Sequence, residues 1–292
     1  MHTSAAAVLP PAGYRHEGFL YRSQDEFLAE ALTFVRRGVA DGEPVMVALA
    51  EPHLSAVRTA LGTDAESVHF ADMAFLGANP ARILPAWLRF VEESCGGGRR
   101  GRGLGEPVWP GRRPAEVAEC HLHEALLNVA LPPDAPLWLR CPYDAEHLCA
   151  AVLQQVAASH PFLLENGACR PSNSYGGPGL AETVFRSALP EPAVPTVGLP
   201  FRGARLSAVR DLVLAHAVGA GVEDRLAAGL SVAVEGLAAS SLRYGAGAGS
   251  VRLWQEPEAL LCEVRDGGCI DDPLAGRRTA EPERSRGRAL RE

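Results

Sequence analysis

Short apolar runs alternate with helix-length periodic segments over the first half of the chain, from about residue 18 to 161. The run PVMVALA at 44–50 is continuously apolar, as expected for a strand buried on both faces. Apolar residues then recur at helical spacing in the segments between such runs. This alternation predicts a parallel sheet with helices on both faces, an α/β fold in which ligands bind at the carboxyl ends of the strands.

The same pattern gives approximate bounds for the elements of this half. Strands are predicted at 18–23, 44–50, 67–73, 103–109 and 136–141. Helices are predicted from Ser23 past Val35, and at 53–61, 79–93, 114–130 and 145–159. We therefore expect an N-terminal tail over 1–15 and an α/β domain over 16–165.

The chain changes character after this domain. Residues 166–198 are rich in proline and glycine and are predicted to form a linker. Residues 199–292 then form a second, smaller domain. Its predicted elements are a helix over 200–221, an alanine-rich helix over 222–244, a small-residue loop at 245–249 and an antiparallel hairpin. Two helices followed by strands indicate an α+β unit.

The absence of lysine excludes two classes of site. Every fixed cation is an arginine, so the chain has neither the lysine of a Walker A phosphate loop nor a Schiff-base lysine for pyridoxal phosphate. The net charge of −7 argues against direct binding to nucleic acid. No apolar run approaches the roughly 20 residues that span a bilayer, and seven cysteines without a CxxC pair indicate reduced thiols. A cytoplasmic protein with no membrane contact is expected.

Polar residues gather near the predicted strand ends of the first domain. Glu106 and Trp109 end one strand, and Cys141 and its neighbours end another. His16 precedes the first strand, and His123 lies on the helix between these two strands. We predict that all of these residues bind the sensed ligand. The predicted sensory set is His16, Glu106, Trp109, His123, Cys141, Tyr143 and Asp144.

Alternatives remain open for several of these residues. Cys120, His123 and Glu124 share one helix face and have the chemistry of metal ligands. Without a second spaced Cys/His pair we predict no metal, and we interpret His123 as a hydrogen-bonding core or pocket residue. Capping roles are alternatives for His16 and Asp144. A hydrolase that uses Cys141 or Cys120 with His123 lacks any supporting signature, so no catalytic residue is predicted.

Residues 16–161 resemble the MEDS sensory domain, named for methanogen, methylotroph and DcmR regulators. The segments that carry the resemblance are HEGFLYRS (16–23), FADMAFLGANPARILPAW (70–87), GEPVWPGR (105–112), ECHLHEALLN (119–128) and PLWLRCPYD (136–144). The resemblance implies a RecA-like α/β fold that senses a small molecule. Small hydrocarbon derivatives have been proposed as ligands of the family.

The segments EGLAASSLRYG (235–245) and CEVRDGGCIDDPLAGR (262–277) resemble the GHKL, or Bergerat-type, ATP-binding domain of anti-sigma factors and histidine kinases. The resemblance implies a degenerate nucleotide site formed by Glu235, Ser240, Asp266 and Gly268. Asp266 would accept a hydrogen bond from the adenine amino group. Ser240 stands in place of the family's Mg²⁺-binding Asn, and this replacement would weaken the binding of ATP and Mg²⁺. A simple turn is the alternative interpretation of the D-G-G segment.

The end of the sequence bears on activity. Residues 286–290 look like the start of the glycine-rich lid of this family, and the sequence stops at Glu292, so the following helix and strand would be missing. We therefore expect a regulator in which a small-molecule sensor controls a degenerate ATPase-like domain that binds a sigma factor or an anti-anti-sigma (STAS) protein, with a homodimer also considered. The alternative is an active ATP-dependent serine/histidine protein kinase that acts on such a factor.

Overall fold

The computed structural model describes residues 13–96, 99–187, 189, 191–257 and 259–277. The chain divides into two compact units. The first unit comprises Met1–Ser187 with Pro273–Glu292, and the second comprises Ala188–Asp272. None of the described helices has the length and apolar character needed to cross a membrane.

The first unit is built on a seven-stranded sheet. Its strands are β1 (Arg15–Tyr21), β2 (Val45–Leu49), β3 (Val68–Asp72), β4 (Gly101–Gly105), β5 (Leu137–Asp144), β6 (Phe162–Glu165) and β7 (Ala168–Pro171). They lie in the order β3-β2-β4-β5-β1-β6-β7. All neighbours pair in parallel except β6 and β7. The predicted mixed α/β fold with a mostly parallel sheet is confirmed.

Helices cover both faces of this sheet. They are α1 (Gln24–Ala40), α2 (His53–Leu61), α3 (Met73–Leu76), α4 (Ile83–Ser94), α5 (Pro114–Ala130), α6 (Ala150–Ser159) and α7 (Gly179–Phe185). Side chains of α1 and α2 form one apolar core with the sheet, and side chains of α4, α5 and α7 form a second core on the opposite face. The polar cluster described below is embedded in the second core.

Side-chain hydrogen bonds explain where α1 begins and why residues 145–148 form a turn. The Ser23 hydroxyl accepts a hydrogen bond from the backbone N–H of Glu26, which starts α1 where the sequence predicts. The helix predicted from Ala145 instead begins at Ala150. The Asp144 carboxylate accepts the backbone N–H groups of Glu146 and His147, and it thereby holds residues 145–148 in a turn.

Ordered elements occur within residues 166–198, the segment predicted to be a linker. The pair Asn166-Gly167 has φ values of 51° and 71° and joins β6 to β7 in a tight hairpin. Helix α7 follows, and its Ala181 is fully buried in the second core. This part of the segment packs with the α/β unit.

The second unit is an α+β layer. Its elements are β8 (Val197–Arg202), α8 (Leu206–Gly219), α9 (Asp224–Tyr244), β9 (Ala248–Glu256) and β10 (Ala259–Asp266), with a three-stranded antiparallel sheet in the order β10-β9-β8. The hairpin of β9 and β10 agrees with the prediction. The helix predicted over 200–221 is wrong at its start, because residues up to Arg202 pair with β9 as a strand.

A compact apolar core holds this second unit together. Phe201 on β8 and Val251 on β9 pack against Val209 of α8 and Val234 of α9, and all four are nearly inaccessible to solvent. The helices therefore cover one face of the sheet. The GHKL assignment is more specific than this architecture and stays a prediction.

Candidate functional site

Four chemically reactive side chains meet inside the second core of the α/β unit. His16 lies on β1, Glu124 on α5, Cys141 on β5, and His160 directly after α6. Each is at most 2% exposed. Strands β1 and β5 are parallel neighbours in which Gly18 lies opposite Cys141, so His16 and Cys141 are two positions apart on the same face. We call these four residues the buried cluster.

The distances within the buried cluster are short. Glu124 Oε2 lies 2.9 Å from His16 Nε2 and 3.2 Å from His160 Nε2. Cys141 Sγ lies 3.5 Å from His16 Nε2 and 3.7 Å from Glu124 Oε2. One ligand atom from each of the four residues lies within 4.8 Å of the others. The arrangement therefore has the spacing of a site that could hold a metal ion.

Asn128 fixes the proton position on His16. The Asn128 side-chain amide nitrogen donates to the carbonyl oxygens of Glu124 and Ser159, at 3.2 and 2.7 Å. Its oxygen consequently faces His16 Nδ1, at 3.1 Å. Since that oxygen only accepts, His16 Nδ1 must carry the proton.

His160 is oriented in the same way. Its Nδ1 lies 2.8 Å from the carbonyl oxygen of Val156, which again requires a proton on Nδ1. In the neutral forms of His16 and His160, both Nε2 atoms therefore present lone pairs to the Glu124 carboxylate.

Burial and charge act in opposite directions on the buried cluster. Burial alone would raise the pKa of Glu124, but the adjacent His160 and His16 outweigh it and hold that pKa well below its usual value. Burial, followed by the proximity of His160, lowers the pKa of His16. Burial and the Glu124 carboxylate raise the pKa of the Cys141 thiol well above its usual value. Without a further cation, these values favour a neutral thiol and an ionised carboxylate.

A narrow cleft of about 10 Å³, which has room for about one water molecule, reaches this cluster. It is lined by Val108, Val117, Cys120, His121, Glu124, Tyr143, Val152, Gln155, Val156 and Ser159. The second carboxylate oxygen, Glu124 Oε1, is buried and has no hydrogen-bond partner among the described residues. A buried, unpartnered carboxylate oxygen is costly and marks a place where a donor is expected to bind.

The structure brings together three of the sequence-predicted sensory residues. His16 and Cys141 belong to the buried cluster, and Tyr143 is 1% exposed, with burial and then the Glu124 charge raising its pKa well above the usual value. Of the trio considered as metal ligands, only Glu124 joins the cluster. The Cys120 thiol instead donates to the carbonyl oxygen of Pro107.

Glu106 occupies a separate place, beyond the carboxyl end of β4. Its Oε1 lies 2.9 Å from His53 Nδ1, and its Oε2 accepts from the backbone N–H of Ala50 at 3.4 Å. The His53 ring stacks on Phe27. Burial raises the pKa of Glu106, although these contacts oppose the shift. This second pair lies at the strand ends where the fold favours ligands.

The remaining predicted sensory residues do not contact the buried cluster directly. The guanidinium carbon of Arg112 lies over the Trp109 ring, 4.3 Å from the ring centroid. His123 is buried on α5, and burial lowers its pKa to about 4. The Asp144 carboxylate accepts from two backbone N–H groups in the turn before α6, and the N-cap of that helix is Cys149 and not Asp144. Ligand-binding roles for these three stay predictions.

The predicted nucleotide-site residues have local partners in the second unit. Glu235 Oε2 lies 3.6 Å from Arg210 Nη1, and Asp266 Oδ1 accepts from the backbone N–H of Gly268 at 2.7 Å, as in a simple turn. Ser240 is exposed on α9. The lid prediction at 286–290 falls outside the described residues.

Sequence analysis missed the importance of His160 and left Glu124 out of the predicted sensory set. A signal existed for Glu124, because Glu124 and Asn128 are four residues apart on one helix face, and that face also carries His121. No local signal existed for His160, which follows a short helix and precedes a proline.

Comparison with known proteins covers the unit that carries this site. The profile of the MEDS family, the MEthanogen/methylotroph, DcmR Sensory domain, matches residues 15–161. The chain belongs to the MEDS family. Membership gives this half of the protein a sensing role in signalling. No curated protein and no solved structure matches the chain.

Proposed function

We propose that the MEDS domain binds a small organic molecule carrying a hydrogen-bond donor on a short apolar chain, and that this binding regulates the second unit. The observation that carries the proposal is the unpartnered Glu124 Oε1 at a cleft inside the domain. The mostly parallel sheet also supports the RecA-like architecture that the family implies.

The lining of the cleft indicates the chemistry of the ligand. Val108, Val117 and Val152 provide apolar walls, and the Glu124 carboxylate provides an acceptor. A hydroxyl or ammonium group would satisfy that acceptor, whereas an ether of similar size would not. The cleft has room for only about one water-sized group, so the apolar part must be very short and the valine walls must move apart to admit it. Short-chain alcohols and amines are therefore the ligand class that fits best.

A matched ligand series tests this proposal. The full-length protein is titrated with one- to four-carbon alcohols and amines and with ethers of equal size, and thermal unfolding is followed. Binding to the folded state raises the unfolding temperature with concentration, so the alcohols or amines should raise it and the ethers should not. Equal effects of the ethers would overturn the proposed role of Glu124.

A substitution that fills the cleft supplies the second arm of the test. Val152→Phe introduces a larger side chain into the cleft wall, and Val129→Phe makes the same change at a half-exposed position of α5 outside the cleft. Ligand stabilisation should disappear in Val152→Phe and persist in Val129→Phe. Loss in both variants, or in neither, would place the ligand elsewhere.

For the second unit, we propose that it is a degenerate GHKL-type domain that docks a sigma factor or a STAS protein. Its long helix α9 leaves Leu226, Leu237 and Tyr244 more than half exposed. Helical spacing places these three side chains on one face, which also carries Ser240. An exposed apolar strip of this kind supports a protein-binding role.

Regulation requires that the ligand and the partner favour different states of the protein. The ligand can shift partner affinity only by its own differential affinity for two states, and the effect is reciprocal. Partner affinity is therefore measured by calorimetry for purified sigma and STAS proteins, with and without saturating ligand. An unchanged affinity for every partner would exclude regulation by this route.

The alternative function is an active kinase that binds ATP and Mg²⁺. It is favoured by one observation, a groove of about 380 Å³ at the end of the sheet that is partly lined by Asp266. Titration of the full chain with ATP and Mg²⁺ distinguishes the two functions. Stabilisation by ATP that requires Mg²⁺ and is lost in Asp266→Ala would favour the kinase, while its absence favours a docking role alone.

A further inference from the structure

We propose that His16, Glu124, Cys141 and His160 form a buried binding site for a divalent transition-metal ion, with Zn²⁺ as the best fit. The proposal concerns the MEDS domain alone and does not depend on the ligand in the cleft. It assigns to the buried cluster a cation that the sequence did not predict.

The chemistry of the donor set selects the class of metal. Two imidazoles, one thiolate and one carboxylate are the ligand types of zinc sites, and a thiolate with imidazoles disfavours Mg²⁺ and Ca²⁺, which prefer oxygen. With both histidines neutral, the carboxylate and the thiolate carry two negative charges. A divalent cation therefore leaves a buried site with no net charge, which limits the cost of burial.

Proton positions supply the second argument. Asn128 and the Val156 carbonyl require protons on Nδ1 of His16 and His160, so the neutral rings point both Nε2 lone pairs toward Glu124 Oε2, at 2.9 and 3.2 Å. Three lone-pair donors at such distances repel one another unless a positive charge lies among them. Protonation of both histidines would place two buried cations with their ring centroids 4.2 Å apart. A single metal ion removes both conflicts.

The spacing agrees with tetrahedral coordination. Metal–nitrogen and metal–sulfur bonds of about 2.0–2.1 and 2.3 Å give donor separations of about 3.3 Å between N or O atoms and about 3.6 Å between S and N. Separations of 2.9 and 3.2 Å join the carboxylate to the imidazoles, and 3.5 Å joins the thiol sulfur to His16 Nε2. Small adjustments of side chains would place all four donors around one ion.

The surroundings have the features of a metal site. Ligating histidines usually donate their other N–H to a carbonyl or a side-chain oxygen, which fixes the ring. His16 uses Asn128 and His160 uses the Val156 carbonyl in this way. Gly18 also makes room for the site, because a Cβ at that position would lie 3.2 Å from Cγ of His160.

Metal content and cobalt spectroscopy test the proposal on the full chain. Protein purified without chelators is expected to contain or take up about one Zn²⁺ per chain at this site, as measured by elemental analysis after removal of loosely bound metal. Replacement by Co²⁺ should produce the intense visible bands of four-coordinate cobalt and a thiolate-to-cobalt charge-transfer band. A folded wild-type protein that retains no Zn²⁺ and gives no such bands would overturn the proposal.

Matched cysteine variants locate the site. Cys141→Ser should abolish the charge-transfer band, and Cys120→Ser should retain it, because Cys120 is also buried but bonds to a backbone carbonyl. Loss of the band in Cys120→Ser together with its survival in Cys141→Ser would place the metal elsewhere. If Cys141→Ser does not fold, Asn128→Ala decides the matter, with an expected loss in metal affinity of about 10–100-fold.

The outcome is separable from that of the sensing proposal. Metal content is measured without any organic ligand, and Val152→Phe, which fills the cleft, leaves all four proposed ligands in place. That variant should keep its metal while losing the small-molecule response. Unchanged Zn²⁺ affinity in Asn128→Ala would contradict the metal assignment and leave the cleft ligand unaffected.

Discussion

Two buried carboxylates on opposite faces of the same sheet have different cationic partners. Glu17 Oε1 accepts from Arg140 Nε at 2.6 Å, and Glu17 Oε2 accepts from Arg15 Nε at 2.9 Å. On the other face, Glu124 faces His16 and His160. His16 and Glu17 are consecutive on β1, and they reach opposite faces because side chains alternate along a strand.

The difference in partners separates a structural ion pair from a candidate site. Arginine stays charged at all relevant pH values, so the Glu17 network keeps its pairing permanently. Burial alone would raise the pKa of Glu17, but Arg140 and Arg15 outweigh burial and lower it. Histidine exchanges protons and binds metals near neutral pH. The Glu124 cluster can therefore change its occupant, whereas the Glu17 network cannot.

The largest expected effect is on stability at Glu17. Glu17→Gln leaves two buried arginines without their counter-charge, and we expect it to lower the free energy of unfolding by about 3–5 kcal/mol in urea denaturation. Glu30→Gln is the matched control, because Glu30 also lies near Arg140 but is 31% exposed. The control should cost less than about 1 kcal/mol. Equal losses of unfolding free energy in Glu17→Gln and Glu30→Gln would show that burial of the ion pair makes no difference.

A smaller stability effect is expected at Glu124. Glu124→Gln leaves two histidines that can become neutral, so the metal-free protein should lose only about 1–3 kcal/mol in the same urea experiment. The comparison is made after chelation, since a bound ion would add its own stabilisation. A loss larger than that of Glu17→Gln would show that the histidines are held charged, contrary to the neutral rings that the metal site requires.

A third buried carboxylate, Glu106, extends the comparison to pH. Burial raises the pKa of Glu106 in the folded protein. Above about pH 4.5 the unfolded chain loses this proton while the folded protein keeps it. The free energy of unfolding therefore falls as the pH rises from about 4.5 through the raised pKa of Glu106. Glu106→Gln should flatten this decline and stabilise the protein at neutral pH, by about 1.4 kcal/mol for each unit of the pKa shift. Urea denaturation of both proteins from pH 4 to 8 measures how the free energy of unfolding depends on pH. A steeper decline in the variant would contradict the assigned direction.

The smallest effect is expected at Glu165, which is partly buried but is paired with exposed arginines. Its carboxylate contacts Arg22 and Arg170, whose side chains are 48% and 64% exposed. Solvent screens such pairs, so Glu165→Gln should leave the unfolding midpoint unchanged. A clear shift would show that partner type matters more than burial.

The α/β unit was largely predictable because its elements follow simple rules. Helices α2 and α5 have the predicted bounds, 53–61 and 114–130, since apolar periodicity and an initial proline mark them. Strands β6 and β7 were missed, although Asn166-Gly167 is a strong hairpin signal. Strand β8 contains Gly198 and Pro200, so its local sequence resembles a linker, and only pairing with β9 makes it a strand.

The candidate site was predictable only in part. His16, Cys141 and Tyr143 were predicted because they begin or end strands, and the structure brings them together. His160 could not be predicted, because its place in the cluster depends on the packing of α6 against the sheet. Glu106 was assigned to the same set, yet the structure gives it a separate partner, His53.

The buried cluster joins residues far apart along the chain. His16 lies on the first strand of the domain, while His160 lies just before the sixth. Bringing such distant positions together costs loop-closure entropy, and it requires the chain from the first strand through α6 to be present. A fragment that ends before His160 would lack one of the four residues of the buried cluster. Binding of the proposed metal ion would therefore indicate that the domain has been synthesised and folded as a whole.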